Sequence, residues 1–324
     1  MQRWNDVSQI PSDIGGSVVT LGNFDGVHRG HRAVLTEVLA QAVDGLTSVA
    51  VTFDPHPVAV LYPERAPGLI TSLDHRLALL EAAGVDAVLV LEFTREFAQL
   101  TPDEFVEQVF VDALSARVVV VGEDTRFGVR NSGDVATLLE LGERFGFEVV
   151  TVRDQGADGE HSRWSSTQVR ELLSDGDVGG AARVLGRPHR VSGVVVHGDH
   201  RGRELGYPTA NLERHCDGLV PADGVYAGWL VRPQRPASDP DSTLPAAISI
   251  GTNPTFEGTS RRVEAYVLDR TDLDLYGEPV TLEFVARLRP TLRFDSVDEL
   301  LDRMAEDVTK SREILSTMVP VQPA

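Results

Sequence analysis

The chain has 324 residues, of which 42% are hydrophobic, and a formal net charge of −19 from 49 acidic and 30 basic side chains. This length predicts two domains, each large enough for its own hydrophobic core. The acidic composition repels nucleic acid and anionic membranes, so neither is expected as a partner. No apolar run approaches 18 residues and the N-terminus has no apolar signal region, which predicts a soluble, cytoplasmic protein.

Two residue counts exclude further kinds of site. Cys216 is the only cysteine, so neither an intramolecular disulfide nor a cysteine-based zinc site can form. Lys310 is the only lysine and lies near the C-terminus, so the chain contains no G-x-x-x-x-G-K-[ST] loop. If the protein uses ATP, it binds the phosphates without a Walker P-loop.

The first half of the chain alternates predicted strands with predicted helices. Five continuous apolar runs predict strands that are buried on both faces of a parallel sheet, and they span residues 17–22, 48–53, 86–93, 116–122 and 147–152. Thr101 and Glu104 form a capping box that begins one helix, and another helix begins at Ser72. This order predicts a doubly wound, Rossmann-like α/β domain.

The second half changes to strands without helices between them. Gly-, Pro- and Asp-rich turns join five predicted strands, which span residues 190–198, 224–231, 246–251, 262–269 and 279–289. Residues 232–245 are polar and Pro-rich and predict a long hairpin loop, and a capping box at Ser296 and Glu299 begins a terminal helix. The pattern predicts a small antiparallel β-barrel or sandwich. The predicted domains are residues 1–186 and 187–324.

A pair of histidines follows the first predicted strand, in the stretch GNFDGVHRGH. Ligands of open parallel sheets bind beyond the carboxyl ends of the strands. His28 and His31 are three residues apart at a helix start, so they share one face beside free N–H groups and the positive end of the helix dipole. Two imidazoles there can donate hydrogen bonds to phosphate oxygens. Two alternatives remain: residues that only start the helix, or two ligands of a transition metal.

A second phosphate-binding pattern lies at residues 163–170, RWSSTQVR. Ser166 and Thr167 stand at a predicted helix start, where hydroxyl groups and backbone amides can hold triphosphate oxygens. Arg170 lies one turn further and can neutralise a leaving pyrophosphate. The alternative is a plain N-cap without function.

Together these motifs resemble a known family. GNFDGVHRGH matches the G-x-F-D-x-x-H-x-G-H pattern of the HxGH nucleotidyltransferase superfamily. TFDPHP at residues 52–57 and RWSSTQVR match two hallmarks of the FMN adenylyltransferase module in the bacterial bifunctional riboflavin kinase/FAD synthetase family. Thr125, in GEDTRFG, stands where that family usually has an aromatic or other bulky apolar residue, and this departure concerns the flavin side of the pocket.

The resemblance implies a site for transfer of AMP to FMN. It implies that His28, His31 and Arg170 are catalytic. It further implies an ATP pocket formed by Gly22, Asn23, Phe24, Asp25, Gly26, His28, His31, Asp124, Ser166, Thr167 and Arg170. The residues implied for the flavin are Pro55, Pro57 and Phe127.

The second half contains a Gly- and Arg-rich stretch, HGDHRGRELGYPTAN, at residues 197–211. Its glycines allow the backbone to wrap a phosphate chain, and the oxygens of Thr209 and Asn211 suit Mg²⁺. Glu264 lies in a predicted strand whose neighbouring side chains are apolar, so it is either a general base or a structural, ion-paired carboxylate. The stretch itself has the alternative of an ordinary surface loop.

This stretch, with GTNPTF at 251–256 and VEAYVLD at 263–269, resembles the riboflavin kinase module of the same family, a six-stranded antiparallel barrel. The resemblance implies that Thr209 and Asn211 hold Mg²⁺ and that Glu264 accepts the proton of the ribityl 5′-hydroxyl. The implied ATP-binding residues are Gly198, Gly202, Arg203, Gly206, Thr209 and Asn211. The expected enzyme phosphorylates riboflavin to FMN and then adenylylates FMN to FAD, with ATP as co-substrate and Mg²⁺ in both steps.

Two other functions are alternatives to this one. A nucleotidyltransferase for another phosphorylated substrate, such as phosphopantetheine, is disfavoured by the attached P-T-A-N module. A flavin-binding regulator without catalysis is disfavoured by the intact set His28, His31, Arg170, Asn211 and Glu264. The expected partners are small-molecule substrates, with no nucleic acid and no membrane. Flavoproteins that receive FAD, and a homo-oligomer, are left open.

Overall fold

The structure, a computed structural model, describes residues 1–153, 164–198, 205–255 and 258–318. The chain divides into two units. The first consists of Met1–Gly68 and Leu73–Ser165, and the second consists of Leu69–Ser72 and Ser166–Ala324. The two helices between Ser166 and Leu185 therefore fall in the second unit. This division follows the packing of the chain, whereas the boundary near residue 186 was predicted for the two functional modules. That functional boundary stays a prediction.

A six-stranded parallel sheet forms the centre of the first unit. Its strands are β1 (Gln2–Trp4), β2 (Ser17–Leu21), β3 (Thr47–Asp54), β4 (Ala87–Glu92), β5 (Ala116–Gly122) and β6 (Glu148–Val152). The spatial order is β1-β4-β3-β2-β5-β6, so the direction of winding reverses between β2 and β5. The five predicted strands and the doubly wound topology are confirmed. The sequence did not reveal β1, because three residues are too few to show a pattern.

Helices cover both faces of this sheet. They are α1 (Arg29–Gln41), α2 (Pro57–Leu61), α3 (Leu73–Ala82), α4 (Pro102–Phe105, continued by wider turns over Val106–Ala113) and α5 (Val135–Phe145). Apolar residues of α1 and α3 pack on one face, and those of α4 and α5 pack on the other. The predicted capping box is confirmed: Thr101 Oγ1 accepts from the N–H of Glu104 at 3.2 Å, and Glu104 Oε2 accepts from the N–H of Thr101 at 2.8 Å.

A closed antiparallel barrel forms the centre of the second unit. Its strands are β7 (His189–Val196), β8 (Thr209–Leu212), β9 (Gly224–Val231), β10 (Thr243–Thr255), β11 (Gly258–Val267) and β12 (Pro279–Arg289). Their order around the barrel is β10-β11-β8-β7-β12-β9. The pattern predicted a barrel or a sandwich and the family resemblance implied a six-stranded barrel, which is confirmed. The strand β8 was not predicted, because its four residues were interpreted as the end of a loop.

Among the residues that the structure describes, three helices accompany the barrel: α6 (Ser166–Asp175), α7 (Val178–Leu185) and α8 (Val297–Ser316). α7 packs on β12 and β7, and α8 packs on β9, where Leu315 joins an apolar cluster with Trp229. Ser296 caps α8 as predicted, since its hydroxyl accepts from the N–H of Glu299. The Glu299 carboxylate accepts from the N–H of Asp295 instead of completing a capping box.

The loop between β9 and β10 is the predicted long hairpin. Paired carboxylates and guanidinium groups hold it: Arg232 forms two hydrogen bonds with Glu278, and Arg270 pairs with both Asp241 and Asp272. The Arg270 guanidinium lowers the pKa of Asp272 to about 2. In the described ranges of the chain, no helix has the length and apolar character needed to cross a membrane.

Candidate active sites

A strained turn follows β2 and leads into α1. Three of its residues have positive φ: Phe24 at 48°, Gly26 at 85° and Val27 at 37°. Only glycine adopts this region easily, and a β-branched residue such as Val27 adopts it rarely. The side chains of Phe24 and Val27 are completely buried, which holds the turn in place. The turn lies beside the point where the sheet reverses its winding, which is where ligands of such sheets bind.

The two histidines meet at the start of α1. His28 is the N-cap: its Nδ1 accepts from the backbone N–H of His31 at 3.3 Å. The two rings are stacked, with centroids 3.6 Å apart and planes 19° apart. Because Nδ1 of His28 is an acceptor, the neutral ring carries its proton on Nε2, which is then the hydrogen-bond donor. His28 therefore caps the helix through Nδ1 and also carries a donor at Nε2. A role in starting the helix and a role in donating to phosphate are compatible in this one side chain.

Two observations describe the surroundings of these imidazoles. Across the described part of the chain there is no group of three or more His, Cys, Asp or Glu side chains that could hold a metal ion. Gly30 leaves room for the His28 ring, since a Cβ there would lie 3.2 Å from two ring atoms and from the carbonyl oxygen of Trp164. The arrangement thus fixes the ring of His28 at the positive end of α1.

The residues predicted for the flavin side lie in or beside two further loops. Pro55 follows Asp54 in a cis peptide bond at the end of β3, and Pro57 is the first residue of α2, which His56 caps. Phe127 is 5% exposed and packs against Phe105, so its ring belongs to the core of the unit. Asp124 and Thr125 lie in the loop after β5. The flavin-binding roles of these residues stay predictions.

The division between the two units falls inside the Ser-Ser-Thr motif: Ser165 is the last residue of the first unit, and Ser166 and Thr167 belong to the second. Ser166 and Thr167 are the first residues of α6, as predicted, and Arg170 stands one turn further along the same helix. The buried residues of this helix are Val169 and Leu173. The motif thus combines a helix N-terminus, two hydroxyl groups and a guanidinium, a combination suited to phosphate.

The predicted kinase residues come together on two neighbouring strands of the barrel. Glu264 on β11 is directly opposite Asn211 on β8. Thr209 Oγ1 donates to Glu264 Oε2 at 3.5 Å, and Asn211 Nδ2 donates to Thr209 Oγ1 at 3.3 Å and to its carbonyl oxygen at 3.2 Å. All three side chains are partly exposed, whereas Val263 and Ala265, which alternate with Glu264, are buried. The predicted alternation around Glu264 is confirmed.

These three side chains fit a magnesium site. The amide nitrogen of Asn211 is engaged by Thr209, which leaves the amide oxygen as its ligand atom. A hydroxyl, an amide oxygen and a carboxylate are hard oxygen ligands, and Mg²⁺ is usually held by few such groups together with substrate phosphates. Gly198 covers Asn211 so closely that a Cβ there would lie 2.5 Å from Asn211 Nδ2. Gly206 has φ +84°. Gly202 and Arg203 lie outside the described residues.

One buried charged residue near the first site was missed. Arg76 on α3 is 1% exposed, and its Nη1 donates to Thr52 Oγ1 at 3.4 Å and to the carbonyl oxygen of Phe53 at 3.1 Å. The sequence does carry a signal: in SLDHRLALLEAAG, residue 76 stands among the leucines that define the buried side of the helix. A charged residue at such a position indicates a buried polar contact.

The first unit has a Rossmann-like sheet with an H-x-G-H helix start, and the second has a six-stranded barrel in which P-T-A-N leads into a strand. Together these features define a two-module, nucleotide-using protein. Two family models match the chain: FAD synthetase over residues 10–168 and riboflavin kinase over residues 185–315. Two relatives are described as bifunctional riboflavin kinase/FMN adenylyltransferase. The one from Escherichia coli K12 is 36% identical to this chain, and the one from Pseudomonas fluorescens is 38% identical. The first alignment covers 98% of this chain and 97% of the relative, and the second covers 97% and 98%.

A similar solved structure is described as a macrolide-efflux protein from Streptococcus pneumoniae. Its TM-score is 0.83 and its identity 32%, over 96% of this chain and 98% of that one. The chain belongs to the family of bifunctional riboflavin kinase/FMN adenylyltransferases.

Proposed function

We propose that this protein catalyses two successive steps of FAD synthesis. Residues 187–324 transfer the γ-phosphoryl group of ATP to riboflavin, which gives FMN and ADP. Residues 1–186 transfer AMP from a second ATP to FMN, which gives FAD and pyrophosphate. The observation that carries the proposal is the match of a separate family model to each half of the chain, with relatives aligned over nearly its whole length.

In the adenylyl transfer, a phosphate oxygen of FMN attacks the α-phosphorus of ATP and pyrophosphate leaves. His28 and His31 donate hydrogen bonds to phosphate oxygens as negative charge builds up, which is the situation in which a preorganised donor lowers a barrier most. The proton position on Nε2 of His28, imposed by its N-cap contact, supports this role. Ser166, Thr167 and Arg170 hold the departing pyrophosphate, a role supported by their place at a helix start.

The rest of the ATP pocket is proposed from the same loops. Gly22 to Gly26, with Asn23, Phe24 and Asp25 between them, bring the backbone of the turn to the nucleotide, and Asp124 contacts it from the loop after β5. Pro55, Pro57 and Phe127 contribute to the flavin side. Thr125 makes that wall more polar than is usual in the family.

In the kinase reaction, the 5′-hydroxyl of riboflavin attacks the γ-phosphorus and ADP leaves. Glu264 accepts the hydroxyl proton, and Thr209 and Asn211 hold Mg²⁺ with the phosphates of ATP. The position of these three side chains side by side, with Thr209 Oγ1 3.5 Å from Glu264 Oε2 and 3.3 Å from Asn211 Nδ2, supports this assignment. When bound, Mg²⁺ would supply neutralisation of phosphate charge, and neither reaction needs a covalent enzyme intermediate. Gly198, Gly202, Arg203 and Gly206 complete the phosphate-binding loop.

The reactants are small molecules, and the proposal includes a cytoplasmic location and flavoproteins as recipients of the FAD. A homo-oligomer is a further hypothesis, for which sedimentation of the full chain is the direct measurement.

The main test is incubation of purified protein with riboflavin and Mg-ATP, followed by chromatographic separation of flavins. Successive appearance of FMN and FAD is expected. Bound but unaltered riboflavin identifies a flavin-binding regulator, and adenylylation of phosphopantetheine but not FMN identifies another nucleotidyltransferase.

A further inference from the structure

The buried guanidinium of Arg76 has no role in the chemistry above. It lies among apolar core residues, since its helical neighbours Leu77, Leu79 and Leu80 are buried. Burial lowers the pKa of Arg76 from its ordinary value, and the carboxylates of Asp25 and Asp54 counteract this effect. Taking a guanidinium out of water is costly, whereas an apolar side chain would fill the same space without that cost. An arginine here therefore needs a specific explanation.

The hydrogen bonds of Arg76 connect three parts of the first unit. Nη1 donates to the carbonyl oxygen of Phe53 and to Thr52 Oγ1, both at the end of β3. The Thr52 hydroxyl in turn donates to the carbonyl oxygen of Asn23 at 3.2 Å. Nε and Nη2 of Arg76 make no hydrogen bond to any residue that the structure describes. One nitrogen thus links α3 to the ends of β2 and β3, where the adenylylation loops begin.

Asn23 is where the strained turn begins. The next residue, Phe24, already has a positive φ, and the turn ends at His28, whose ring caps α1. Strained backbone persists only where the surroundings fix it at several points. The Thr52–Asn23 hydrogen bond fixes the first residue of the turn, and Arg76 fixes the orientation of the Thr52 hydroxyl. The His28 ring depends on the far end of the same turn.

We propose that Arg76 is a positioning residue for adenylyl transfer: through Thr52 it holds the Asn23–His28 turn so that Nε2 of His28 meets the phosphate. Arg76 does not touch the substrate itself. This inference rests on the phosphate-binding role proposed for His28. Its effect is confined to the first unit, so riboflavin phosphorylation in the same molecule reports independently on protein quality.

The first test compares two variants of Arg76 in the full chain with a matched control. Arg76→Met keeps the volume and removes the donor, and we expect the kcat for FAD formation to fall by about 10²-fold with a small change in KM, because misplacement of a catalytic group costs that much. Arg76→Lys should retain most of the rate, since both observed bonds come from a single nitrogen that an ammonium can replace. Arg95→Met, at an exposed position, should have no effect.

Thr52→Val tests the same connection without touching the arginine. It removes the hydroxyl and keeps the branched shape, so we expect a selective loss of FAD formation that is smaller than that of Arg76→Met. This variant keeps the proposal testable if Arg76→Met fails to fold. Unchanged FAD formation in Thr52→Val overturns the proposal.

The second test is a double-mutant cycle with His28→Ala, measured with labelled ATP over long incubations. If Arg76 acts through His28, adding Arg76→Met to His28→Ala should change the rate less than about threefold, because coupled effects are not additive. A fully additive loss identifies Arg76 as a merely structural residue and overturns the inference. If His28→Ala alone leaves FAD formation unchanged, the proposed role of His28 fails first, whatever Arg76 does.

Discussion

The ring of His28 lies flat against the ring of His31, and the same ring accepts the backbone N–H of His31. The stacking and this hydrogen bond fix the orientation of the His28 ring. Nδ1 takes part in the hydrogen bond, and Nε2 lies on the opposite side of the ring. One side chain thus combines a helix cap with a candidate phosphate donor. Substitutions can separate the two roles, because other residues can cap a helix without carrying an imidazole.

We expect His28→Asn to separate capping from catalysis. Asparagine is a good N-cap, so thermal unfolding of the protein should change little, whereas His28→Ala loses the cap and about 1 kcal/mol of stability. Both variants lack the Nε2 donor, so FAD formation from FMN should fall by about 10²–10³-fold in each. Riboflavin phosphorylation is the control and should persist. Wild-type FAD formation by His28→Asn would contradict the assignment.

Glu264→Gln should abolish most of the kinase activity. The amide keeps the shape of the side chain and its contact with Thr209 but cannot accept the hydroxyl proton, so FMN formation should fall by about 10²–10⁴-fold. Adenylylation of supplied FMN should be unaffected. Glu306→Gln, which removes a surface carboxylate paired with Arg303, is the matched control. A kinase rate within a few-fold of wild type would show that Glu264 is only structural.

Gly198→Ala should also damage the kinase selectively. A Cβ at this position would lie 2.5 Å from Asn211 Nδ2, so the Asn211 side chain must move away from Thr209. Loss of the proposed Mg²⁺ ligand should raise the Mg²⁺ concentration required for half-maximal FMN formation. Gly251→Ala is the matched control on β10, where a Cβ meets nothing within 4 Å. An unchanged Mg²⁺ requirement in Gly198→Ala argues against the Asn211 assignment.

A barrel fragment that begins at Ser166 should be more stable than one that begins at Arg187. The longer fragment keeps α7, whose Val178, Val184 and Leu185 are buried, and α6, whose Asp175 carbonyl accepts from Arg287 at 2.8 Å. At about 1.5 kcal/mol or more for each buried aliphatic side chain, the difference in unfolding free energy should be about 5 kcal/mol. Urea unfolding of both fragments measures it. Equal stabilities would show that α6 and α7 do not support the barrel.

The thiol of Cys216 should react slowly in the folded protein. Burial, followed by the nearby carboxylates of Glu213 and Asp217, raises its pKa to about 11. The thiolate is the reactive species, so at pH 8 only about one molecule in a thousand is reactive. Alkylation followed by mass spectrometry should show a rate that rises about tenfold per pH unit up to pH 10. A plateau near pH 8.5, as for a free cysteine, would contradict the raised pKa.

The sequence was sufficient for the features that depend on local pattern. Continuous Val and Leu runs identified five strands of the parallel sheet, since strands buried on both faces need no polar alternation. Caps at Thr101 and Ser296 identified helix starts, because a hydroxyl must satisfy the free N–H groups there. The motifs around His28, Thr209 and Glu264 identified the family by their resemblance to its patterns, and that resemblance supplied the candidate residues.

Tertiary structure decided what depends on partners distant in the sequence. The strands β1 and β8 are too short to carry a pattern and form because a neighbouring strand is already in place. The division at Ser165 follows from packing of α7 on the barrel, which no composition change marks. The ring of Phe127 lies in the core, and Arg76 reaches Thr52, 24 residues away in the chain. Such contacts connect separate elements, and only the folded chain brings those elements together.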